Sequence, residues 1–346
     1  MNFFLKIIKN MLVKSYSYLI ILNLFFLHRF YKRLYHNSSL GFGDSLAYII
    51  SHYILIKKDK DALVLDFGFI TNTSIDFFFE KKKKIKLFFY IFKFLPHYNI
   101  ASEFKKNKNF KLILSKKAKI SSKFKNKDSI KNLFIAKLNR SKKINELKNS
   151  KLFNKKYICI SIKSYKIRDY FFGSGPRATY DLDTINKVIE YLIIKGFDIL
   201  ILGLNSDYAV IEQKKKFREN KNVKFLIDQF PDYNFDCQVY FALNSSGFLG
   251  SAAGISQMYY LLQKKSIFIN CVSKNHLLNP EDPDQEKKYN KYLFKKVKIK
   301  NTYEIVKLDF LQKASSEKSK INFEIVENSF DEIKSLIDEY MNRNYW

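Results

Sequence analysis

The sequence lacks the residues from which disulfide frameworks and metal sites are built. Its three cysteines, Cys159, Cys237 and Cys271, are widely separated, and none belongs to a Cys-x-x-Cys pair. The five histidines are scattered and show no spacing typical of metal ligands. These absences exclude a disulfide-stapled fold and a zinc-binding module, and they fit a reducing compartment.

Long apolar runs are also missing. The best one, residues 18–27, is well short of the roughly 20 residues that a transmembrane helix needs. The segment 1–37 lacks the small-residue cleavage site of a secretory signal peptide. It fits a basic amphipathic helix on an anionic membrane surface as well as a helix packed on the first domain. We therefore expect a cytoplasmic protein, located at the inner face of the cytoplasmic membrane if this segment contacts lipid.

Acidic residues are scarce, with 33 Asp and Glu against 62 Lys and Arg and a formal net charge of +29. Such a charge attracts polyanions, including nucleic acid, anionic lipid and phosphorylated ligands. However, the lysines are mostly diffuse, and the same few residue types dominate throughout, as expected of an AT-rich genome. We attribute most of the charge to this bias.

The apolar content and the length favour a folded protein of two domains. Hydrophobic residues make up 47% of the sequence, which excludes a disordered chain. A chain of 346 residues can form two domains that each have a core.

The first domain begins with a glycine-containing turn. The turn Gly41-Phe-Gly-Asp44 precedes an apolar helix pattern that continues to Ile56, and residues 61–67 indicate a buried strand. Turn, helix and strand in this order are typical of an α/β domain. Asp44 is a candidate catalytic base or contact to a substrate hydroxyl, although it or Ser45 could simply cap the helix.

The segment 104–156 is rich in Lys, Asn and Ser. It predicts the end of the first domain and a solvated connection. Basic stretches with interleaved aromatic residues can bind nucleic acid, but no recognised nucleic-acid motif accompanies this one. We therefore expect no specific nucleic-acid partner.

The second domain begins with a strand, a polar loop and a helix. A β-branched run at 157–162 predicts the strand. Asp183 or Thr184 is expected to cap the helix, and Gly196 to end it. Residues 197–203 then predict a second buried strand, which completes a parallel β-α-β unit. The polar loop contains four cations: Lys163, Lys166, Arg168 and Arg177.

Strand and helix patterns continue to alternate along the rest of the chain. This alternation predicts a doubly wound parallel sheet, in which ligands bind beyond the carboxyl ends of the strands. Further elements are expected as strands at 223–227, 266–272, 296–300 (at a sheet edge) and 322–326, and as helices at 236–242 and from the capping box Ser329–Glu332 through Met341.

A turn of small residues follows the apolar run that ends at Leu249. In Gly250-Ser-Ala-Ala-Gly254, which precedes a helix pattern through Leu262, no bulky side chain hinders the approach of a phosphate to backbone N–H groups. A closely packed strand-to-helix turn without any ligand would have the same sequence. Gly203 ends another predicted strand and lies on the same edge. The candidate phosphate-binding residues are Gly203, Gly250, Ser251, Ala252, Ala253 and Gly254.

Four segments together resemble bacterial surface-polysaccharide glycosyltransferases of the two-Rossmann (GT-B) architecture, and most of all a largely uncharacterised group of them. The family usually has a basic or His-containing motif where this chain has Lys163 to Arg168 without histidine, and more hydroxyl side chains where it has Ala252 and Ala253. The Arg-x-x-Asp spacing before the helix is also shifted. The four segments are 41–44, 177–203, 235–254 and 323–333.

The resemblance implies an α/β fold with two Rossmann-like doubly wound domains (GT-B-like) that face a cleft. The implied parts are a basic amphipathic helical segment at 1–37, an acceptor domain at 38–150, a nucleotide-sugar domain at 151–326 and a C-terminal helix at 327–346 that crosses back to the first domain.

The resemblance also implies a glycosyltransferase that transfers a sugar from a nucleotide-activated donor to a glycan or lipid-linked acceptor. The donor diphosphate would contact the N–H groups of Ser251 to Gly254, and a side-chain cation would take the place of a divalent metal. Arg177 is the first candidate for this cation, followed by Lys163 and Arg168. The acceptor would bind near 41–45, with Asp44 as the base. No cofactor besides the donor is expected.

Two alternatives remain open at the level of sequence. The first is a sugar-nucleotide epimerase on the same fold. The second is a non-catalytic basic protein that binds nucleic acid or anionic lipid.

Overall fold

The computed structural model describes residues 33–37, 62–66, 84–86, 127–150, 152–153, 155–168, 175–232, 235–252, 254–272, 289–306, 311 and 323–343. The chain forms two compact units, which comprise residues 1–120 and 121–346. The α/β class is confirmed by parallel strands in the described parts of both units and by the helices of the second.

The first unit contains a three-stranded parallel sheet in its described part. The strands are β1 (Arg33–Asn37), β2 (Ala62–Asp66) and β3 (Lys84–Lys86), in the order β1-β2-β3. The predicted strand at 61–67 is thus confirmed as β2. Residues 33–37 were expected to end a helical segment, but they form a strand because their backbone pairs in parallel with Ala62–Asp66.

The second unit is built on a six-stranded sheet in which all neighbouring strands are parallel. Its order is β6-β5-β4-β7-β8-β9. This is the Rossmann order, with the chain starting in the middle of the sheet, adding strands to one side and then crossing to the other. The strands are β4 (Tyr157–Ser161), β5 (Asp198–Ile201), β6 (Val223–Phe225), β7 (Gly247–Ser251), β8 (Ser266–Cys271) and β9 (Asn290–Phe294).

Helices cover both faces of this sheet. They are α1 (Lys127–Leu138), α2 (Ile144–Asn149), α3 (Leu182–Ile194), α4 (Tyr208–Phe217), α5 (Leu226–Gln229), α6 (Phe235–Asn244), α7 (Ser256–Leu261) and α8 (Phe330–Asn342). On one face, isoleucines such as Ile158 and Ile160 pack in a core that also contains residues of α3 and α8. On the other face, Phe248 stacks on Tyr259 of α7 at 4.4 Å. The doubly wound arrangement follows from strands that are apolar on both sides.

The caps of α3 and α8 show where local sequence was sufficient. Gly196 follows α3 with φ +91°, as expected of a C′ glycine, and Ser329 with Glu332 forms the predicted capping box of α8. The N-cap of α3 is a correction, because Asp181 rather than Asp183 or Thr184 occupies it. The Asp181 carboxylate accepts hydrogen bonds from the N–H of Thr184 (3.0 Å) and from its hydroxyl (2.7 Å).

A second, smaller sheet corrects one strand prediction. The strand β10 (Lys296–Ile299) was expected at an edge, but it lies between β11 (Thr302–Ile305) and β12 (Glu324–Val326) and pairs with both in the antiparallel sense. The chain outside the predicted strand supplies both partners, which a local pattern does not reveal.

The helices α1 and α2 pack on the second unit, although residues up to 150 were expected in the first domain. Ser141 donates a hydrogen bond to the Asp236 carboxylate at 2.7 Å, and the Phe134 and Phe235 rings lie 6.1 Å apart. The helix α8 contacts α3, β8 and β9. None of the helices in the described part of the chain is long and apolar enough to span a membrane.

Candidate functional site

The carboxyl ends of β4 and β7 define the centre of the candidate site. The sheet grows from β4 to one side and from β7 to the other, so the connections that leave these two strands diverge. The crevice at such a switch point is where ligands bind in open α/β sheets. Ser161 at the end of β4 pairs with Gly250 of β7.

Gly250 lies inside β7 rather than in the turn that follows it. A Cβ atom at this position would stand 2.1 Å from the carbonyl oxygen of Ser161. The absent side chain is thus explained by the close approach of two central strands. Whether the Gly250 backbone also contacts a ligand stays a prediction.

The next residues of the predicted phosphate turn are closely packed in the protein. Ser251 is fully buried, and its hydroxyl accepts a hydrogen bond from the N–H of Lys163 at 3.1 Å and lies 3.3 Å from the Thr179 hydroxyl. Ala252 is also buried, whereas Gly254 is partly exposed and its carbonyl accepts from the N–H of Gln257 at 3.3 Å. Ala253 lies outside the described residues. The helix α7 that follows has six residues.

Gly203 lies two residues after the end of β5, the neighbour of β4, at the same carboxyl edge of the sheet. Its φ of +141° is rarely adopted by residues with a side chain, and a Cβ would stand 2.7 Å from Val210 and 2.8 Å from Asp207. The Asp207 carboxylate accepts from the N–H of Leu204 at 2.7 Å. This glycine is required by the tight turn into α4.

Lys163 leaves the end of β4 and is partly buried. Burial lowers the pKa of its ammonium group, the charge of Arg177 lowers it further, and Tyr165 acts in the opposite direction. The backbone carbonyl of Lys163 accepts from the N–H of Thr179 at 2.7 Å. The loop after β4 is therefore joined to the segment that carries Arg177.

Arg177 occupies a 3₁₀ turn, Gly175–Arg177, just before the segment that leads into α3. The turn is closed by Tyr180, whose hydroxyl donates to the carbonyl of Gly175 at 3.2 Å. The Arg168 guanidinium lies 6.0 Å from the centre of the Tyr180 ring. The structure thus brings Lys163 close enough to Arg177 for their charges to interact, although the sequence separates them by 14 positions, and it places Arg168 beside Tyr180, which closes the turn of Arg177.

These three cations have no carboxylate partner in the part of the chain that the structure describes. None of the ion pairs formed there includes Lys163, Arg168 or Arg177. The hydroxyl of Ser164, next to Lys163, is buried and has no hydrogen-bond partner among the same residues. Cations that are held together without compensation, beside an unsatisfied hydroxyl, can bind an anion such as a phosphate.

A buried polar network behind the cations was missed by sequence reasoning. Asn270, with φ +53°, and Asn328 exchange hydrogen bonds with each other's backbone N–H groups, and the Asn270 amide donates to the Thr179 hydroxyl at 3.0 Å. The Lys295 ammonium and the Glu327 carboxylate are 2.9 Å apart. The available signal was a polar residue within or directly after an apolar strand pattern, at Asn270 and Lys295.

The remaining predicted site residue belongs to the first unit. Asp44 and the turn 41–45 lie outside the described residues, and their roles stay predictions. Among the described residues, no group of three or more His, Cys, Asp or Glu side chains could hold a metal ion.

No protein-family model and no curated protein sequence matches the chain. Among solved structures, it is similar to E. coli ADP-heptose lps heptosyltransferase II, with 10% identity and a TM-score of 0.47 over 82% of this chain and 98% of that one. It is also similar to E. coli heptosyltransferase WaaC with ADP (11% identity, TM-score 0.42, 83% of this chain and 100% of that one). A third is a UDP-GlcNAc 2-epimerase from Methanocaldococcus jannaschii (13% identity, TM-score 0.35, 85% and 82%). Likenesses at these scores carry no weight for activity, which has to be inferred from the side chains.

Proposed function

We propose that this chain is a glycosyltransferase that transfers a sugar from a nucleotide-activated donor to a glycan or lipid-linked acceptor of cell-surface polysaccharide synthesis. The observation that carries the proposal is the pair Lys163 and Arg177, placed near the carboxyl ends of the central strands without a carboxylate partner among the described residues. A nucleoside diphosphate is the anion that fits a Rossmann switch point.

The cations would act on the leaving group. As the bond between the sugar C1 and the β-phosphate oxygen breaks, the electron pair stays on the diphosphate, and a pre-placed cation stabilises the developing charge. Arg177 takes this role first, because a guanidinium binds two phosphate oxygens at once, with Lys163 and Arg168 as further contacts.

The backbone would hold the other side of the diphosphate. In this proposal the N–H groups between Ser251 and Gly254 point at phosphate oxygens. The acceptor hydroxyl forms the new bond to C1 and loses its proton to Asp44 in the first unit. Residues 1–32 hold the enzyme at an anionic membrane face, close to a lipid-linked acceptor.

A side-chain cation also makes the proposed reaction independent of a divalent metal. The Asp-Leu-Asp sequence at 181–183 contains two carboxylates, but both oxygens of Asp181 accept hydrogen bonds from Thr184 at the start of α3. Asp181 therefore serves as a helix cap, and the charge of the leaving group is left to Arg177.

Nucleotide binding tests the proposal directly. We expect UDP, GDP, ADP or CMP to raise the melting temperature of the wild-type protein, since a ligand at 100 times its Kd stabilises by about 2.7 kcal/mol. Arg177→Ala should abolish most of the shift. Arg218→Ala is the matched control, because Arg218 is exposed and precedes β6, at the opposite edge of the sheet.

The outcomes separate the proposal from its alternatives. No shift with any nucleotide, together with salt-dependent binding to any polyanion, would identify a basic binding protein. Conversion of the sugar in a nucleotide-sugar without an acceptor, with the nucleotide bond intact, would identify an epimerase. A shift that survives Arg177→Ala unchanged would remove Arg177 from the site.

A further inference from the structure

A buried ion pair lies directly behind the segment that carries Arg177. Lys295 follows β9 and its side chain is fully buried, and Glu327 follows β12 with a side chain that is 10% exposed. The pKa of the Lys295 ammonium is lowered, chiefly by burial and also by the charge of Arg168. The nearby Glu327 carboxylate acts in the opposite direction. Lys295 is therefore close enough to Arg168 for their charges to interact.

The hydrogen bonds of this pair converge on one short segment of backbone. The Glu327 carboxylate accepts from the N–H of Tyr180 (2.9 Å) and from the N–H of Asp181 (3.0 Å). The Lys295 ammonium donates to the carbonyl of Ala178 at 2.5 Å. Thr179, between them, is held by Lys163 and Asn270. Each residue of 178–181 is thus fixed by a partner that is distant in sequence.

We propose that Lys295 and Glu327 are positioning residues that hold Arg177 in place for the phosphate of the donor, an inference that rests on the proposed function. Arg177 directly precedes the fixed segment, and on its other side the segment ends at Asp181, the cap of α3. A long cation that is pre-oriented in this way loses less conformational entropy when it binds an anion.

Stability alone does not account for the pair. A buried ion pair loses its hydration, and its replacement by apolar residues of similar size is often neutral or stabilising. A role in orientation explains why the hydrogen bonds that the Glu327 carboxylate makes among the described residues come from Lys295 and from the backbone of residues 180–181.

A second ion pair offers a matched control. Lys296 is the next residue after Lys295, and it pairs with Glu332, five positions after Glu327. This pair is partly exposed, and Glu332 caps α8, a role that Gln also fulfils at this position of a capping box. Glu332→Gln therefore repeats the chemistry of Glu327→Gln without touching segment 178–181.

The test is a double-mutant cycle on nucleotide affinity. The probe is whichever of UDP, GDP, ADP and CMP binds the wild-type protein, titrated by calorimetry. We expect Glu327→Gln and Lys295→Met each to weaken nucleotide affinity about tenfold, and Glu332→Gln to leave it unchanged. In an Arg177→Ala background, Glu327→Gln should cause no further loss of affinity, because the effects of residues that act through one another are not additive.

Each other result overturns the inference. Unchanged nucleotide affinity in folded Glu327→Gln and Lys295→Met would refute the positioning role and leave the proposed function standing. The same conclusion would follow if the loss of affinity in these variants added fully to the loss caused by Arg177→Ala. Absence of nucleotide binding in the wild type would refute both. If a single variant fails to fold, the double variant Lys295→Met with Glu327→Leu removes both charges at once. It should fold and still bind about tenfold more weakly, and wild-type affinity in it would contradict the inference.

Discussion

Substitution of Gly250 by alanine tests how closely the two central strands of the second unit pack. The added Cβ would stand 2.1 Å from the Ser161 carbonyl oxygen and 2.9 Å from the Phe248 ring, whereas ordinary contact begins at 3.4 Å. The Phe248 ring is fully buried and stacked on Tyr259, so it has little room to move away from the new methyl group. The Ser161 oxygen is held even more firmly, because it belongs to the backbone of β4, which also pairs with β5.

The expected cost follows from this geometry. Overpacking in a core costs about 1–3 kcal/mol, and we expect about 3 kcal/mol here because backbone has to move. Gly196→Ala is the control, since no atom lies within 4 Å of its Cβ position and its cost is confined to the left-handed φ of +91°. That conformation costs roughly 1–2 kcal/mol for a residue with a side chain.

Thermal unfolding, followed by circular dichroism, compares both variants with the wild type. At about 2–4 °C per kcal/mol for a unit of this size, Gly250→Ala should lower the melting temperature by about 6–12 °C. If Gly250→Ala were no less stable than Gly196→Ala, the close approach to Ser161 would be wrong. If it kept its stability and lost only nucleotide binding, the glycine would serve the ligand rather than the strand pair.

Two further predictions concern ionisable groups. Nucleotide affinity should fall as the pH rises through the lowered pKa of Lys163, because only the ammonium form of Lys163 attracts phosphate. Arg177→Ala removes a neighbouring positive charge and should therefore move the fall in affinity to higher pH. Nucleotide titrations across the alkaline pH range check both expectations, and a fall at the same pH in the wild type and the variant would contradict the coupling between Lys163 and Arg177. Burial raises the pKa of each of the three cysteine thiols to about 12. We therefore expect none of them to react with Ellman's reagent at pH 8 until the protein unfolds. A thiol that reacts fast in the native protein would contradict this burial.

Sequence patterns predicted the structure correctly where a few neighbouring residues determine it. The capping box at Ser329 and the C′ glycine at position 196 are local devices, and both are confirmed. Five strands of the large sheet, β4 to β8, are apolar runs bounded by polar residues, so their existence and parallel direction were predictable, with ends that differ by one or two residues. The sixth strand, β9 (Asn290–Phe294), was missed.

The sequence was insufficient where long-range contacts decide. The local pattern predicted Asp183 or Thr184 as the N-cap of α3, but the structure has Asp181 there, whose N–H is bound by Glu327 from 146 positions away. The small sheet followed the same rule, because β12 is recruited to β10 across a long intervening segment. Polar networks such as that of Asn270 and Asn328 have no periodic signal at all.

The net charge of the chain shows why composition could not locate the site. Several lysines of the second unit form ion pairs at the surface, such as Lys143 with Asp232 and Lys215 with Glu212, and exposed pairs of this kind contribute little to stability or specificity. Lys163 and Arg177 differ from these lysines in placement rather than in number. They are partly buried, close to each other, and without a carboxylate partner among the described residues. Because this arrangement depends on a segment fixed from β7, β8 and the chain after β12, it arises only in the folded protein, and a charge count in the sequence has no access to it.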